Sequence, residues 1–209
     1  MSLFGNDKSV SARFRERTGQ DSLYNIQSID NIRSIMQNGL LSFELASKIN
    51  HTSIAMNEVQ KRRDAVKVLG RLRLHQYANL YFDPRNPMLY KRKDQNDNLC
   101  ILKISDSILD LTNIVVSDRN ASSSYAIFYD VKTGIEQLDF GLIYARYWND
   151  NDPLEKARKK SIKCAEVLVP SMIPYTYITG AAVANNIAYA SLTGAGFDKK
   201  IWITDRVFF

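Results

Sequence analysis

Three groups of residues in this chain have types and spacings that could do chemistry. The first is a lone carboxylate in an apolar run, Lys163-Cys164-Ala165-Glu166-Val167-Leu168-Val169-Pro170. The run reads as a short strand closed by Pro170, which has no N–H to give a ladder. Alternation puts Cys164, Glu166 and Leu168 on one face and Ala165, Val167 and Val169 on the other. A glutamate buried in a strand is costly unless it is paired or used. Glu166 is therefore an edge residue, the partner of a nearby lysine, or a working carboxylate. The second group is Gln60-Lys61-Arg62-Arg63. Such a charge run commonly lines a solvated helix face, yet adjacent guanidiniums also grip phosphates bidentately. The third is Tyr77-Ala78-Asn79-Leu80-Tyr81-Phe82-Asp83-Pro84-Arg85-Asn86-Pro87-Met88-Leu89-Tyr90. It reads as an aromatic strand that breaks at Pro84 into a stiff loop carrying Arg85. Its rings are either core or a stacking surface for flat heterocycles.

The elements that must position these groups follow from pattern. Tyr24 to Gln27 is strand-like. Ser28 is a predicted N-cap for a helix with Ile29, Ile32, Ile35 and Met36 on one face and Gly39 at its end. Leu99 to Ile104 and Ile114 to Val116 read as strands, and Ser117 to Ser124 as a polar loop. Leu142 to Trp148 is aromatic, a strand or a helix start. Asp152-Pro153-Leu154-Glu155 has the N-cap, N1 proline and N3 glutamate of a helix start. Lys156 to Lys163 then carries five basic residues in eight and runs directly into the Glu166 strand. A basic surface beside a carboxylate suits an anionic substrate, while a solvated helix face is the plainer reading. Tyr175 to Thr179 is a predicted strand, Ala181 to Leu192 a helix of small residues, and Lys200 to Phe209 a last strand.

With 45% apolar and 24% charged residues the chain has an ordinary globular mixture, and 209 residues suffice for one good core. Lys plus Arg outnumber Asp plus Glu by 28 to 22, a mild lean toward polyanionic partners. Cys100 and Cys164 both lie in apolar runs, as suits reduced buried thiols in a cytoplasmic protein. Neither His51 nor His75 has a partner at metal-ligand spacing, so no metal site is expected. No apolar run is long enough to span a membrane. Glycine-rich phosphate loops of the common types are absent, so any nucleotide must be held in another way. No repeat or linker divides the chain, and the mixture of strands and helices predicts an α+β fold. One domain is expected over residues 21–209, preceded by a loosely ordered polar segment over residues 1–20.

Four of these stretches, in order, resemble the DarT family of DNA-modifying ADP-ribosyltransferase toxins. Leu23-Tyr24-Asn25-Ile26-Gln27 with the following helix and Gly39-Leu40 is similar to the family's opening Tyr-His-Ile-Thr segment and its Gly-Leu. Ile54-Ala55 with Val59-Gln60-Lys61-Arg62-Arg63 resembles the next block. Tyr81-Phe82-Asp83-Pro84-Arg85-Asn86-Pro87-Met88-Leu89 resembles Tyr-Phe-x-Pro-Arg-Ser-Pro-Met-Leu, the most specific match. Cys164 to Pro170 resembles the segment with the catalytic glutamate. One departure stands out: Asn25 occupies the family's histidine position. Asparagine donates and accepts hydrogen bonds but does not titrate near neutrality.

The resemblance implies a single-domain ADP-ribosyltransferase fold, with central split antiparallel β-sheets flanked by helices. It implies NAD⁺ as a consumed co-substrate, with no metal, and single-stranded DNA as acceptor. The family contains thymine-modifying and guanine-modifying members, and the departure at Asn25 tilts the expectation to guanine. Glu166 and Arg63 are the implied catalytic residues. Glu166 would bond a ribose hydroxyl and stabilise an oxocarbenium-like transition state. Asn25, Gln27, Arg62, Arg63, Tyr81 and Phe82 would hold NAD⁺, with Arg63 preferred over Arg62 as the pyrophosphate clamp. Arg85, Asn86, Met88, Arg158, Lys159 and Lys160 would place DNA. A macrodomain antitoxin of the DarG kind is the implied partner. Glu166→Ala is expected to abolish transfer in a protein that remains folded, and Lys159→Ala and Lys160→Ala to weaken DNA binding. Three alternatives remain open: an ADP-ribosyltransferase acting on RNA or protein, a non-catalytic nucleic-acid-binding module, and a hydrolase using Asp118 as a second carboxylate.

Overall fold

The structure, a computed structural model, describes residues 8–53 and 57–209, with the backbone alone for residues 57–59. Its first elements are helix α1 (Val10–Thr18), strand β1 (Ser22–Ser28), helix α2 (Ile32–Asn38), strand β2 (Leu40–Leu41) and helices α3 (Phe43–Ala46) and α4 (Asn57–Asp64). Strand β3 (Tyr77–Tyr81), helix α5 (Pro87–Tyr90) and strands β4 (Leu99–Ser105), β5 (Val115–Ser117) and β6 (Phe128–Asp130) follow. Helices α6 (Val131–Gln137), α7 (Phe140–Ile143) and α8 (Pro153–Ile162) lead to strands β7 (Glu166–Pro170), β8 (Met172–Ile173) and β9 (Ile178–Val183). Helix α9 (Asn186–Gly194) and strand β10 (Lys200–Ile203) complete the set.

Eight strands form one sheet in the order β10-β9-β4-β1-β3-β7-β5-β6, and β2 pairs with β8 in a small second sheet. All the pairings are antiparallel except β9 with β10. The large sheet is split near its middle. Strand β1 pairs with β4 over seven positions, Ser22 to Ser28, but meets β3 only at Tyr24 opposite Tyr81. Beyond that contact β1 and β3 diverge, and the candidate site opens between them.

The alternation expected around Glu166 is present. Ala165, Val167 and Val169 enter the main core with Leu80, Leu102 and Val116, whereas Leu168 enters a separate cluster with Val68, Leu74 and Tyr77. The strand itself starts at Glu166, later than the expected start at Lys163, because α8 runs to Ile162 and residues 163–165 make the turn out of it. The helix before it starts as its signals predicted: Asp152 caps the Leu154 N–H and Pro153 stands in the first turn. Ser28 also accepts from the Asp30 N–H, and Ile29, Ile32 and Ile35 are buried. Gly39 closes α2 with φ +76°, and a Cβ there would lie 2.6 Å from the Ile173 carbonyl oxygen, so a side chain is excluded twice.

Several expectations are corrected. Residues 10–18 are no loose tail but a helix capped by Ser9, with Phe14 fully buried between Phe82 and Phe140 at centroid distances of 5.9 Å each. Ser11 bonds Asp110 and Arg15 bonds the buried Asp106, which fastens the helix from both ends. The segment looked polar because only Val10 and Phe14, four residues apart, supply its apolar face. Residues 1–7 lie outside the described residues. Phe14→Ala is expected to destabilise the protein by roughly 3–5 kcal/mol in a denaturant titration; an unchanged midpoint would mean that α1 is dispensable. Near the other end, Ala181 to Val183 belong to strand β9, and the helix starts only at Asn186, capped by Asn185. The small residues favour neither state, and the ladder to β4 decides. Tyr175 to Tyr177 form a 3₁₀ turn ahead of that strand, and the last strand ends at Ile203.

Candidate active site

Glu166 is 1% exposed and sits between two neighbours on the sheet, Tyr81 of β3 and Ser117 of β5. Its carboxylate is fully engaged. Oε1 accepts from the Ala121 N–H at 2.9 Å, and Arg63 Nη1 lies 3.2 Å from Oε1 and 3.0 Å from Oε2. Its own N–H donates to Ser117 Oγ at 3.2 Å, and that hydroxyl donates to the Arg119 carbonyl at 2.7 Å. The costly carboxylate is thus paired, by an arginine from α4 that is itself 8% exposed. A pair this dry adds little net stability relative to an apolar one but fixes both groups rigidly.

The polar loop after β5 supplies the backbone donor. Asn120 Oδ1 accepts from the Ser122 N–H and Oγ–H, and the Asn120 N–H reaches the Ser161 carbonyl at the end of α8. This turn aims the Ala121 N–H at Glu166. Asp118, the acid considered for a two-carboxylate hydrolase, is turned away: it binds Arg119 at 2.7 Å and accepts from the Ile127 N–H. Nothing here supports the hydrolase reading.

Above Glu166 lies a cavity of about 570 Å³, within the range of small-molecule sites. Its lining includes Asn25 and Gln27 of β1, Asn31, Phe43 of α3, His51, and Gln60, Arg62 and Arg63 of α4. Tyr81, Met88, Lys91 and Arg92 come from the aromatic strand and the loop after it, Asn120 and Ser122 from the polar loop, and Ala157, Lys160, Ser161 and Cys164 from α8 and its turn. Asn25 is 7% exposed; its Nδ2 donates to the Asn79 carbonyl at 2.9 Å across the split, and its Oδ1 is buried without a partner. The donor end is tied to β3, so the acceptor end is the one left for a ligand. Gln27 Oε1 accepts from Asn31, which leaves its NH₂ end available. The Tyr81 phenol is pushed well above its ordinary range, first by burial and then by the Glu166 charge, so it stays protonated. Burial, with Glu166 second, pushes the Cys164 thiol up to about 12, so it is no nucleophile at neutral pH. Among the described residues no group of three His, Cys, Asp or Glu side chains is placed to hold a metal ion.

The structure brings Glu166, Arg63, Arg62, Asn25, Gln27, Tyr81, Met88 and Lys160 to this one cavity. Five other positions lie off the cavity. Phe82 follows Tyr81 and so points to the opposite face, where it packs on Phe14 and Phe140 with no exposure. Arg85 binds the Phe208 carbonyl at 2.6 Å and lies 4.0 Å over the Phe209 ring, holding residues 208–209 rather than facing the cavity. Asn86 is fully buried and caps α5 by accepting from the Met88 and Leu89 N–H groups. Arg158 pairs with Glu155 and Lys159 with Asp150. The helical period explains that last split: Ala157, Lys160, Ser161 and Cys164 share the cavity face at i, i+3, i+4 and i+7, while 158 and 159 turn off it. The motif loop also has a structural task, since Asp83 pairs with Lys163, which is buried three residues before Glu166. The matched residues Ile54 and Ala55, and the side chain of Val59, lie outside what the structure describes. The cavity and Glu166 contacts that sequence reasoning gave no role are Ser117, the Ala121 N–H, Asn31, Phe43 and His51.

The family model described as ssDNA thymidine ADP-ribosyltransferase, DarT, matches residues 24–209. The chain belongs to the DarT family. It is 32% identical over 209 aligned residues to a DNA ADP-ribosyl transferase–DNA ADP-ribosyl glycohydrolase fusion protein of Thermosipho africanus, covering 94% of this chain but only 50% of that relative. A DNA ADP-ribosyl transferase of Thermus sp. 2.9 is 34% identical over 173 residues, covering 77% of this chain and 80% of the relative. The solved structure of the Thermus DarT in complex with ADP-ribosylated ssDNA aligns with a TM-score of 0.77 at 26% identity, over 90% of this chain and 96% of that one. The complex of that DarT with NAD⁺ aligns with a TM-score of 0.72 at 25% identity, over 90% and 98%. These relatives share the mixed fold with its large central sheet flanked by helices.

Proposed function

We propose that this chain transfers ADP-ribose from NAD⁺ to a base of single-stranded DNA, with release of nicotinamide. The observation that carries the reading is Glu166, held rigid by Arg63 and the Ala121 N–H at the floor of a cavity large enough for a nucleotide. The Thermus relative in complex with NAD⁺ and with ADP-ribosylated ssDNA supports it.

The roles follow from placement. The bond broken joins nicotinamide to ribose, and Glu166 stabilises the positive charge that develops on the ribose. Glu166 is oriented by Arg63 and the Ala121 N–H before the step, so it needs no reorganisation during it. Arg63 is committed to Glu166, which makes Arg62, exposed in the cavity, the better pyrophosphate clamp. The unpartnered Asn25 Oδ1 takes a donor from the nicotinamide side, Gln27 offers its NH₂ nearby, and protonated Tyr81 walls the pocket. The base must leave its stack for a ring nitrogen to attack, which a single strand makes cheap; as the nitrogen–ribose bond forms and nicotinamide leaves, Glu166 helps take the proton that the nitrogen gives up. Lys160 and Met88 lie where the strand would enter. Lys160→Ala is expected to weaken oligonucleotide binding and reduce the salt slope by about 1, whereas Lys159→Ala leaves both near wild type. Equal effects from the two would contradict this face assignment.

The acceptor base in this reading is guanine, because Asn25 replaces the family's histidine. Thymine is the second reading, favoured by the description of the matching family. We place the chain in a toxin–antitoxin pair with a macrodomain partner of the DarG kind, a reading supported by the fusion of transferase and glycohydrolase in the Thermosipho relative. Incubation with labelled NAD⁺ and oligonucleotides that each lack one base tests the acceptor: label lost only without guanine supports the first reading, and label lost only without thymine the second. Labelling of RNA or protein in place of DNA would contradict both.

A further inference from the structure

His75 stands behind the cavity wall, outside the residues that line it, and touches two of its elements. Its Nε2 lies 2.9 Å from Gln60 Oε1 and its Nδ1 lies 3.3 Å from Asp64 Oδ1. Gln60 and Asp64 are four residues apart, on one face of α4, so a single ring holds the helix at two successive turns. The Phe43 ring of α3 packs on the imidazole at a centroid distance of 4.4 Å and an interplanar angle of 35°. Both Gln60 and Phe43 face the cavity with their other sides, and α4 carries Arg62 and Arg63.

We propose that His75 is a positioning residue for the NAD⁺ site, holding α4 in place and setting which end of the Gln60 amide faces the cavity. The hydrogen-bond inventory supplies the logic. A charged ring has two N–H donors and matches the two oxygens before it, Gln60 Oε1 and Asp64 Oδ1, which leaves the Gln60 NH₂ for the cavity. A neutral ring has one donor and one acceptor. With its N–H on Asp64, its other nitrogen needs the Gln60 NH₂, and the amide turns over to present its oxygen to the ligand. A proton on a residue that never meets the substrate therefore changes what the wall offers. The charged groups around the ring, among the described residues, are Asp64 and Arg63 of α4 and Arg73, which also reaches Asp64 at 3.9 Å. His51 approaches the far side of Phe43, at 6.5 Å between ring centroids. Burial lowers the His75 pKa from its ordinary value, and the Asp64 charge works against that shift. The Gln60 orientation described here, with Oε1 on Nε2, is thus the one that suits the charged ring; the lowered pKa puts that form on the acid side, and the neutral ring with the amide turned over is the form at neutral pH.

The inference rests on the NAD⁺ reading of the cavity, and calorimetric titration of NAD⁺ without DNA, from pH 5 to 8, separates the two. If the wild type binds no NAD⁺ at any pH, the proposed function itself fails. If it binds, NAD⁺ affinity changes across an inflection below the ordinary histidine range. His75→Phe keeps the stacking on Phe43, loses both bonds, weakens NAD⁺ binding roughly tenfold and abolishes the inflection. Asp64 is 63% exposed, so Asp64→Asn leaves the fold alone; without the carboxylate the inflection moves to lower pH. That shift also separates His75 from His51, which lines the cavity without contacting Asp64. Wild-type affinity and pH profile in His75→Phe would overturn the inference. Should that variant not fold, an unmoved inflection in Asp64→Asn would overturn it alone.

Discussion

Glu166→Gln is expected to leave a folded protein whose transfer of ADP-ribose is about a thousandfold slower. Glutamine keeps the volume, and its one oxygen can take the Ala121 N–H and the Arg63 guanidinium as Oε1 does; the fold is kept, at some cost in stability because the Arg63 charge is no longer balanced. What disappears is the negative charge that the proposed mechanism sets against the cation developing on the ribose. The expected pattern is a fall in kcat with NAD⁺ binding nearly retained, since an interaction made mainly with the transition state is lost. The alanine variant, the natural first choice from sequence, is the poorer test. It opens a void and leaves the buried Arg63 guanidinium unpaired, so lost activity and lost stability would arrive together. A glutamine variant with wild-type kcat would remove Glu166 from catalysis.

Arg63→Ala is expected to cost both function and stability. Removing one partner of a buried pair leaves the other charge uncompensated, at about 3–5 kcal/mol, which in a domain of this size lowers Tm on the order of 10 °C. Transfer should fall at least a hundredfold even at temperatures where the variant is folded, because Glu166 is then held by the Ala121 N–H alone. A double replacement separates the effects. Arg63→Met with Glu166→Gln removes both charges and is expected to recover most of the stability and none of the activity. If Arg63→Ala melted like the wild type, the pair would not be the buried contact described here.

How much of this was legible beforehand depended on whether a role lives in a side chain's own chemistry or in its neighbours. Glu166 was legible because a carboxylate in an apolar strand is anomalous by itself, and strand alternation then placed Val167 and Leu168 in their separate clusters. Its partner was legible from the residues only as a basic run; resemblance named Arg63 both as catalytic and as the preferred phosphate clamp, and burial with the 3.0 Å contact ties it to the carboxylate. The motif Phe82-Asp83-Pro84-Arg85-Asn86 shows the converse. It is the most specific match in the chain, yet Phe82, Arg85 and Asn86 serve packing, a clamp on residues 208–209 and a helix cap. Specificity of a pattern does not say which face its side chains take. The Ala121 N–H had no signal at all, because a backbone donor is the same in every residue. Helix α1 was missed for want of apolar residues; two well-spaced ones, with capping and ion pairs, were enough.

Whether the Glu166 cavity moves ADP-ribose from NAD⁺ onto DNA is read from the intact mass of a single-stranded oligonucleotide. After incubation with NAD⁺ and the wild-type chain, the oligonucleotide should gain the mass of one ADP-ribose, with free nicotinamide released in step. Glu166→Gln, in parallel, should leave it nearly unchanged. An oligonucleotide of unaltered mass after exposure to folded, NAD⁺-binding wild-type protein, or one modified equally by the Glu166→Gln variant, would contradict the account.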